Sequence, residues 1–134
     1  LVLDLGCGPG LDGPALGGAG LRCAGLDISS RLLQLARSQP ALAGRLVLGD
    51  LRCLPYAETS FDAVWAGGSL HHVLRADIRG ALAEVSRVTK AGGIFMASVE
   101  RGDGEGYQVQ MDNVADARWY AYYEPVIQNP ESLG

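Results

Sequence analysis

The chain has 134 residues, 48% of them hydrophobic and 19% charged, the length and composition of one globular domain. A formal charge of −4 and a pI near 5.0 leave no global positive field to gather phosphate backbones, which argues against nucleic acid as the main partner. No run reaches the roughly 18 apolar residues of a membrane span, so a soluble, cytoplasmic protein is expected.

Residues 1–5, Leu-Val-Leu-Asp-Leu, form a short apolar run of the buried-strand kind, followed at once by Gly6, Gly8 and Gly10. A short, glycine-rich helix is predicted over 13–18, with Asp12 as N-cap and Pro14 in the first turn, where its missing N–H costs little. Residues 22–26 read as a second strand that stops at Asp27. Ser29 or Ser30 then caps a helix over 31–38, whose Leu32, Leu35 and Ala36 share a face and which Pro40 ends. Residues 46–48 make a third strand ending at Gly49-Asp50. A polar loop over 55–60 leads to a fourth strand over 61–66.

The segment 77–88 places Ile78, Ala81, Leu82, Val85 and Val88 on one helical stripe, with Arg79, Glu84 and Arg87 outside it. Residues 90–93 are expected to form the turn into a fifth strand over 94–99. Beyond Glu100 the pattern weakens: Gly102, Gly104 and Gly106 alternate with acids, and Trp119, Tyr120, Tyr122, Tyr123 and Glu124 cluster before Pro125. The three cysteines, Cys7, Cys23 and Cys53, are odd in number and show no CxxC spacing. They are expected to be small buried hydrophobes rather than disulfides or a zinc site.

Strands alternating with helical connections predict an α/β fold, a doubly wound and mostly parallel Rossmann-like sheet. In such sheets ligands bind beyond the carboxyl ends of the strands. The glycines follow strand one, Asp27 strand two, Asp50 strand three, and residues 67–72 strand four. A GxGxxG dinucleotide loop would need a third glycine where Leu11 stands, so the GxGxG spacing weakens a pyrophosphate reading. Asp27 is suited to accept from a ribose diol and Asp50 from the exocyclic amine of adenine, although either can also be a strand-end turn residue. Adenosine without phosphate suits this acidic rim better than a nicotinamide dinucleotide does.

The motifs DLGCGPG (4–10), GLDIS (25–29), GDLR (49–52), LPY (54–56), SFDAV (60–64) and RVTKAGG (87–93) resemble, in order and spacing, those of class I S-adenosylmethionine-dependent methyltransferases. The resemblance implies S-adenosyl-L-methionine as cofactor. Gly6, Gly8 and Gly10 would lie under its methionine part, and Asp4 would fix that loop and the amino group. Asp27, with Ile28 beside it, would hold the ribose; Asp50 would meet the adenine amine, with the Leu51 backbone along the ring. Ala66 and Gly67 would line the sulfonium pocket. Asp62 is expected to shape a turn and Cys7 to pack.

His71 and His72 are the candidate catalytic groups, read either as a base near the methyl or as packing residues over the cofactor. A metal role is disfavoured, because adjacent histidines rarely point to one centre and no further His exists. The lack of an Asn/Asp-Pro-Pro-aromatic tetrad after strand four and the run Ser69-Leu70-His71-His72 resemble the branch that methylates small molecules, quinones and lipids. A similarity to tRNA wobble-uridine carboxymethyl methyltransferases is the alternative. It would require a basic rim, and only Arg52, Arg75, Arg79 and Arg87 are scattered there. A non-catalytic binding scaffold is a further alternative.

Residues 1–100 are thus expected to form the cofactor-binding core, and 101–134 part of an acceptor side near Tyr107 and Trp119. The chain begins in mid-strand without an initiating Met and is expected to be a piece of a longer enzyme, supplying five of the usual seven strands. The edge of strand five would then be bare, giving marginal stability or association.

Overall fold

The apolar run at the start becomes β1 (Val2–Leu5), and the chain continues through α1 (Gly13–Gly18), β2 (Cys23–Asp27), α2 (Ser30–Ala36), β3 (Leu46–Leu48) and β4 (Phe61–Gly67). It ends in α3 (Ile78–Val88), β5 (Thr89–Ser98), β6 (Glu105–Gln108) and β7 (Arg118–Ala121). Single 3-10 turns occupy Pro40–Leu42 and Leu70–His72. This computed structural model describes residues 1–108 and 118–123; Glu124, Pro125 and the rest of the expected acceptor-side tail lie outside them.

The strands β1 to β5 form one sheet in the order β3-β2-β1-β4-β5, with every pair parallel. The chain leaves β1 in one direction and returns on its other side as β4, so the crevice between the ends of β1 and β4 is the topological switch point. Side chains alternate across the sheet. Leu3, Leu5, Leu26, Val64 and Ala66 share a core with Val85 and Val88 of α3. Val2 and Cys23 pack with Leu33 and Ala36 of α2 and with Leu42 on the other face. One helix layer on each face is the doubly wound arrangement expected from the sequence.

Several local expectations are corrected. Ser29 is the N-cap of α2, its Oγ accepting from the Leu32 N–H at 3.2 Å, but Leu33 rather than Leu35 joins Ala36 on the buried face. Leu35 is 57% exposed, because a seven-residue helix closes before a wider stripe can be used. That helix stops at Ala36, ahead of Pro40, which opens a 3-10 turn instead. Asp12 occupies the N-cap position of α1 without a capping bond; its Oδ2 accepts from Trp65 Nε1 at 2.7 Å. The β3–β4 connection carries no helix.

Residues 90–93 are not a separate turn. Phe61 pairs with Thr89 and Ala63 already with Ile94, so the extra residues bulge within β5, with Gly92 at φ 75°. Leu82 lies at the margin of the α3 stripe and is partly exposed, and Cys53 is exposed, not buried. Asp62, expected to shape the turn before strand four, lies within β4 and accepts from Lys90 Nζ at 2.8 Å. Ile94, Phe95 and Met96 are exposed along β5, which is an edge strand of the sheet, and Val99 just beyond it is exposed too. The tail, expected only as a weak pattern, supplies an antiparallel pair, β6 with β7.

Among the described residues no helix is long and apolar enough to cross a membrane. Phe61, at the start of β4, is 1% exposed and meets Tyr56 edge-on at 4.8 Å between ring centres. Phe61→Ala is expected to cost about 3–5 kcal/mol in urea unfolding, the usual penalty for emptying a buried aromatic site.

Candidate functional site

The backbone turns sharply after β1. Gly6 and Cys7 both donate to the Leu26 carbonyl, at 2.8 and 2.9 Å, which ties the loop to the end of β2. Gly6 has φ 72°, and a Cβ there would stand 2.3 Å from Ser69 Cβ, so only glycine allows the chain after β4 to approach this closely. Ser69 Oγ completes the junction by donating to the Leu5 carbonyl at 2.7 Å.

Asp27 ends β2 and uses both carboxylate oxygens. Oδ2 accepts from the Gly8 N–H and Oδ1 from the Ser29 N–H, each at 2.8 Å. A carboxylate has lone pairs to spare beyond these two bonds, so it remains able to accept from hydroxyls. Asp50 lies after β3 and takes a fork of bonds from the Arg52 guanidinium, which also reaches Asp77 at 2.9 Å. The guanidinium holds the Asp50 carboxyl below the usual carboxylate range.

These residues wall a cavity of about 850 Å³ at the carboxyl ends of the strands, within the size range of small-ligand sites. Of the residues singled out from the sequence, Gly6, Gly8, Asp27, Ile28, Asp50, Leu51 and His72 line it. Asp4, Gly10, Ala66, Gly67 and His71 are not among its lining residues. Gly10 instead packs close to Gln39 and Leu42, and Gly67 beside Asp12 and Trp65. Cys7, within the loop, is buried, and burial pushes its thiol up to about 12. That fits packing, not chemistry.

Sequence reasoning missed Leu11, Leu32, Arg52, Val73, Leu74 and Arg118 as cavity residues. Arg118 and Trp119 come from β7, so the β6–β7 ribbon supplies one wall. Three contacts of Arg75 fasten that ribbon to the core. Its N–H donates to Glu105 Oε2 at 3.0 Å, its guanidinium donates to the Tyr122 carbonyl, and it lies 5.7 Å from the centre of the Tyr123 ring. The only sequence signal was the cluster of aromatics from Trp119 to Tyr123.

The two histidines differ. His71 is buried and stacks on Tyr120 at 5.2 Å, with Nδ1 shielded and without a partner among the described residues. Burial, and secondarily His72, pushes its pKa down, so it is neutral near pH 7. His72 reaches the cavity, and its Nδ1 lies 2.8 Å from the Trp119 carbonyl. Arg87 is likewise internal: it binds Glu84 and the carbonyls of Leu54 and Tyr56, pinning the loop before β4.

With this geometry in view, comparison with known proteins is decisive. The methyltransferase domain family matches residues 3–97. The chain belongs to this family. It is of the class I S-adenosylmethionine-dependent type that its motifs resemble. It is 38% identical over 97 residues to malonyl-[acyl-carrier protein] O-methyltransferase of Erwinia pyrifoliae, covering 72% of this chain and 36% of that protein. It is 36% identical over 138 residues to O-methyltransferase cnsE of Penicillium expansum, covering 98% of this chain and 48% of that protein. In structure it resembles 1,6-didemethyltoxoflavin-N1-methyltransferase of Burkholderia thailandensis, determined with its substrate and S-adenosylhomocysteine, at 27% identity and a TM-score of 0.70. That match covers 92% of this chain and 53% of the neighbour. The chain thus spans roughly a third to a half of the curated relatives it matches, between 36% and 48% of the two named here.

Asp4, in β1 beneath the loop, is 2% exposed, and its Oδ2 has no partner among the described residues. Burial, helped by Asp12 and Asp27, lifts its pKa from 3.8 to about 7. The folded state therefore prefers the protonated acid: this contribution is fully present below pH 3.8 and is lost as the pH rises through 7. Compared with Asp4→Asn, the wild type should lose about 3–4 kcal/mol of stability between about pH 4 and about pH 8. Parallel curves from urea unfolding across that range would refute the shift.

Proposed function

We propose that this domain binds S-adenosyl-L-methionine and transfers its methyl group to a small-molecule acceptor. The observation that carries the proposal is the Asp27 carboxylate, which fastens the glycine loop through Gly8 while facing the cavity at the switch point. Two further features fit the cofactor. A Cβ on Gly8 would meet nothing within 4 Å, so the loop leaves open space for a ligand beside its backbone. The unpartnered Asp4 oxygen suits a cationic amino group above it.

In this reading Asp27 and Ile28 hold the ribose, Asp50 and Leu51 the adenine, and the loop at Gly6 and Gly8 the methionine part, with Gly10 packing the loop against Gln39 and Leu42. Ala66 and Gly67, which do not line the cavity, would act on the sulfonium end only indirectly, through the end of β4. When bound, S-adenosyl-L-methionine supplies an electrophilic methyl on a sulfonium that leaves with its electron pair. The residues of the chain align the acceptor and exclude water, which is the main demand of such a displacement. Arg52 keeps Asp50 in place at the adenine end, while Val73, Leu74 and Trp119 wall the acceptor end.

Residues 1–100 serve as the cofactor-binding core and the region from 101 onward as part of the acceptor side, supported by the position of Arg118 and Trp119. A small acceptor is favoured over tRNA because, of the scattered Arg52, Arg75, Arg79 and Arg87, the guanidinium groups of Arg52, Arg75 and Arg87 are engaged in intramolecular bonds. The relatives named as O- and N-methyltransferases support the same choice. The proposal keeps the enzyme in the cytoplasm, in line with three cysteines that form no disulfide.

Calorimetry with S-adenosylhomocysteine and NAD tests the reading. Micromolar binding of the first and none of the second is expected, and Asp27→Asn should weaken it by about 10- to 100-fold, the loss of one or two charge-assisted bonds. Failure of the folded chain to bind S-adenosylhomocysteine, or equal binding of NAD, would contradict it.

A further inference from the structure

His72 is held in one tautomer by the ribbon. The Trp119 carbonyl can only accept, so the 2.8 Å contact places the neutral ring's proton on Nδ1. Nε2 then carries the lone pair. It makes no bond among the described residues and is not one of the buried unpartnered atoms, while the side chain lines the cavity. A histidine with Nδ1 anchored and Nε2 open is arranged to take a proton.

Its surroundings suit that task. His71 and Tyr120 touch the ring at 4.3 and 4.7 Å between centres, and Arg118 is on the same cavity wall. Burial pushes the His71 pKa down and favours its neutral form, with Glu100 opposing that shift. Among the described residues His72 is bonded through Nδ1 to the Trp119 carbonyl and to no carboxylate. The anchor lies on the ribbon, which the Arg75 side chain helps to fasten by donating to the Tyr122 carbonyl and lying over the Tyr123 ring, while the Arg75 backbone N–H holds Glu105.

We infer that His72 Nε2 accepts the proton of a weakly acidic hydroxyl on a flat, aromatic-type acceptor, and that Arg75 is a positioning residue that keeps this nitrogen basic by latching the ribbon. The inference rests on the methyltransferase reading above. The acceptor O–H bond breaks as the new C–O bond forms; the proton goes to Nε2, and the electron pair of the broken C–S bond stays on sulfur. The resulting imidazolium keeps its Nδ1–H bond to Trp119. A base is needed only for a group still protonated near neutrality, which favours a phenol-like hydroxyl over a carboxylic acid. The indole of Trp119 offers such a ring an aromatic wall.

The test uses the whole chain. Long-range proton–nitrogen NMR should show His72 as the Nδ1–H tautomer in the wild type and shift it towards Nε2–H in Arg75→Met. With S-adenosylhomocysteine present, 4-nitrophenol is the probe, read by its phenolate absorbance. At a pH of about 6 the bound probe should show a phenolate fraction roughly five times that of the free probe, and His72→Gln should abolish the excess. An Nε2–H tautomer in the wild type, a tautomer unchanged in Arg75→Met, an excess that survives His72→Gln, or no probe binding to a chain that binds S-adenosylhomocysteine would overturn the inference. Absence of S-adenosylhomocysteine binding would instead remove the methyltransferase reading beneath it.

Discussion

The two hydrogen bonds accepted by Asp27 hold the site together. One oxygen takes the Gly8 N–H and the other the Ser29 N–H, so a single carboxylate joins the glycine loop, the end of β2 and the start of α2. Those backbone donors would otherwise lie unsatisfied where the sheet opens into the cavity. The shape of the crevice follows from that junction. Gly6 then lets the chain after β4 close against it, and Ser69 bonds back to β1. Remote parts of the fold converge here because parallel strands all deliver their carboxyl ends to one edge.

From this edge the cavity runs between two chemically different ends. Near β2 and β3 it is acidic, with Asp27 at its floor and Asp50 steadied by Arg52. Near the end of β4 and the ribbon it is aromatic and apolar, with His72, Val73, Leu74 and Trp119. The proposed S-adenosyl-L-methionine is assigned to the first end and the proposed acceptor to the second. Such a division lets a scaffold shared by many methyltransferases change acceptor by altering one wall. Here that wall comes from the ribbon, which Arg75, His71 and His72 fasten to the core.

Much of this was legible in the sequence because it depends on local chemistry. The buried run of β1, the glycines after it and the acids at strand ends are each set by near neighbours. What depended on distant partners was not legible. Asp12 looked like a helix cap, yet the Trp65 indole, 53 positions away in the chain, claims its carboxylate. Arg87 looked like surface charge, yet it pins the loop at Leu54 and Tyr56. Leu35 satisfied the helical period but belongs to a helix too short to bury it. β6 and β7 were hidden because their sequence of glycines, acids and tyrosines lacks an alternating apolar pattern, and pairing alone defines them. The separate behaviour of His71 and His72 could not be read from two adjacent letters. It appears only once Tyr120 and the Trp119 carbonyl are placed over them.

The most direct measurement of the central claim is an amide NMR titration of the labelled chain with S-adenosylhomocysteine. The largest shifts are expected at Gly6, Gly8, Ile28, Ser29 and Leu51, with the Trp119 indole responding at the far end of the cavity. Shifts centred on the other surface groove, around Gly17, Gly20, Ala41 and Arg45, would contradict it.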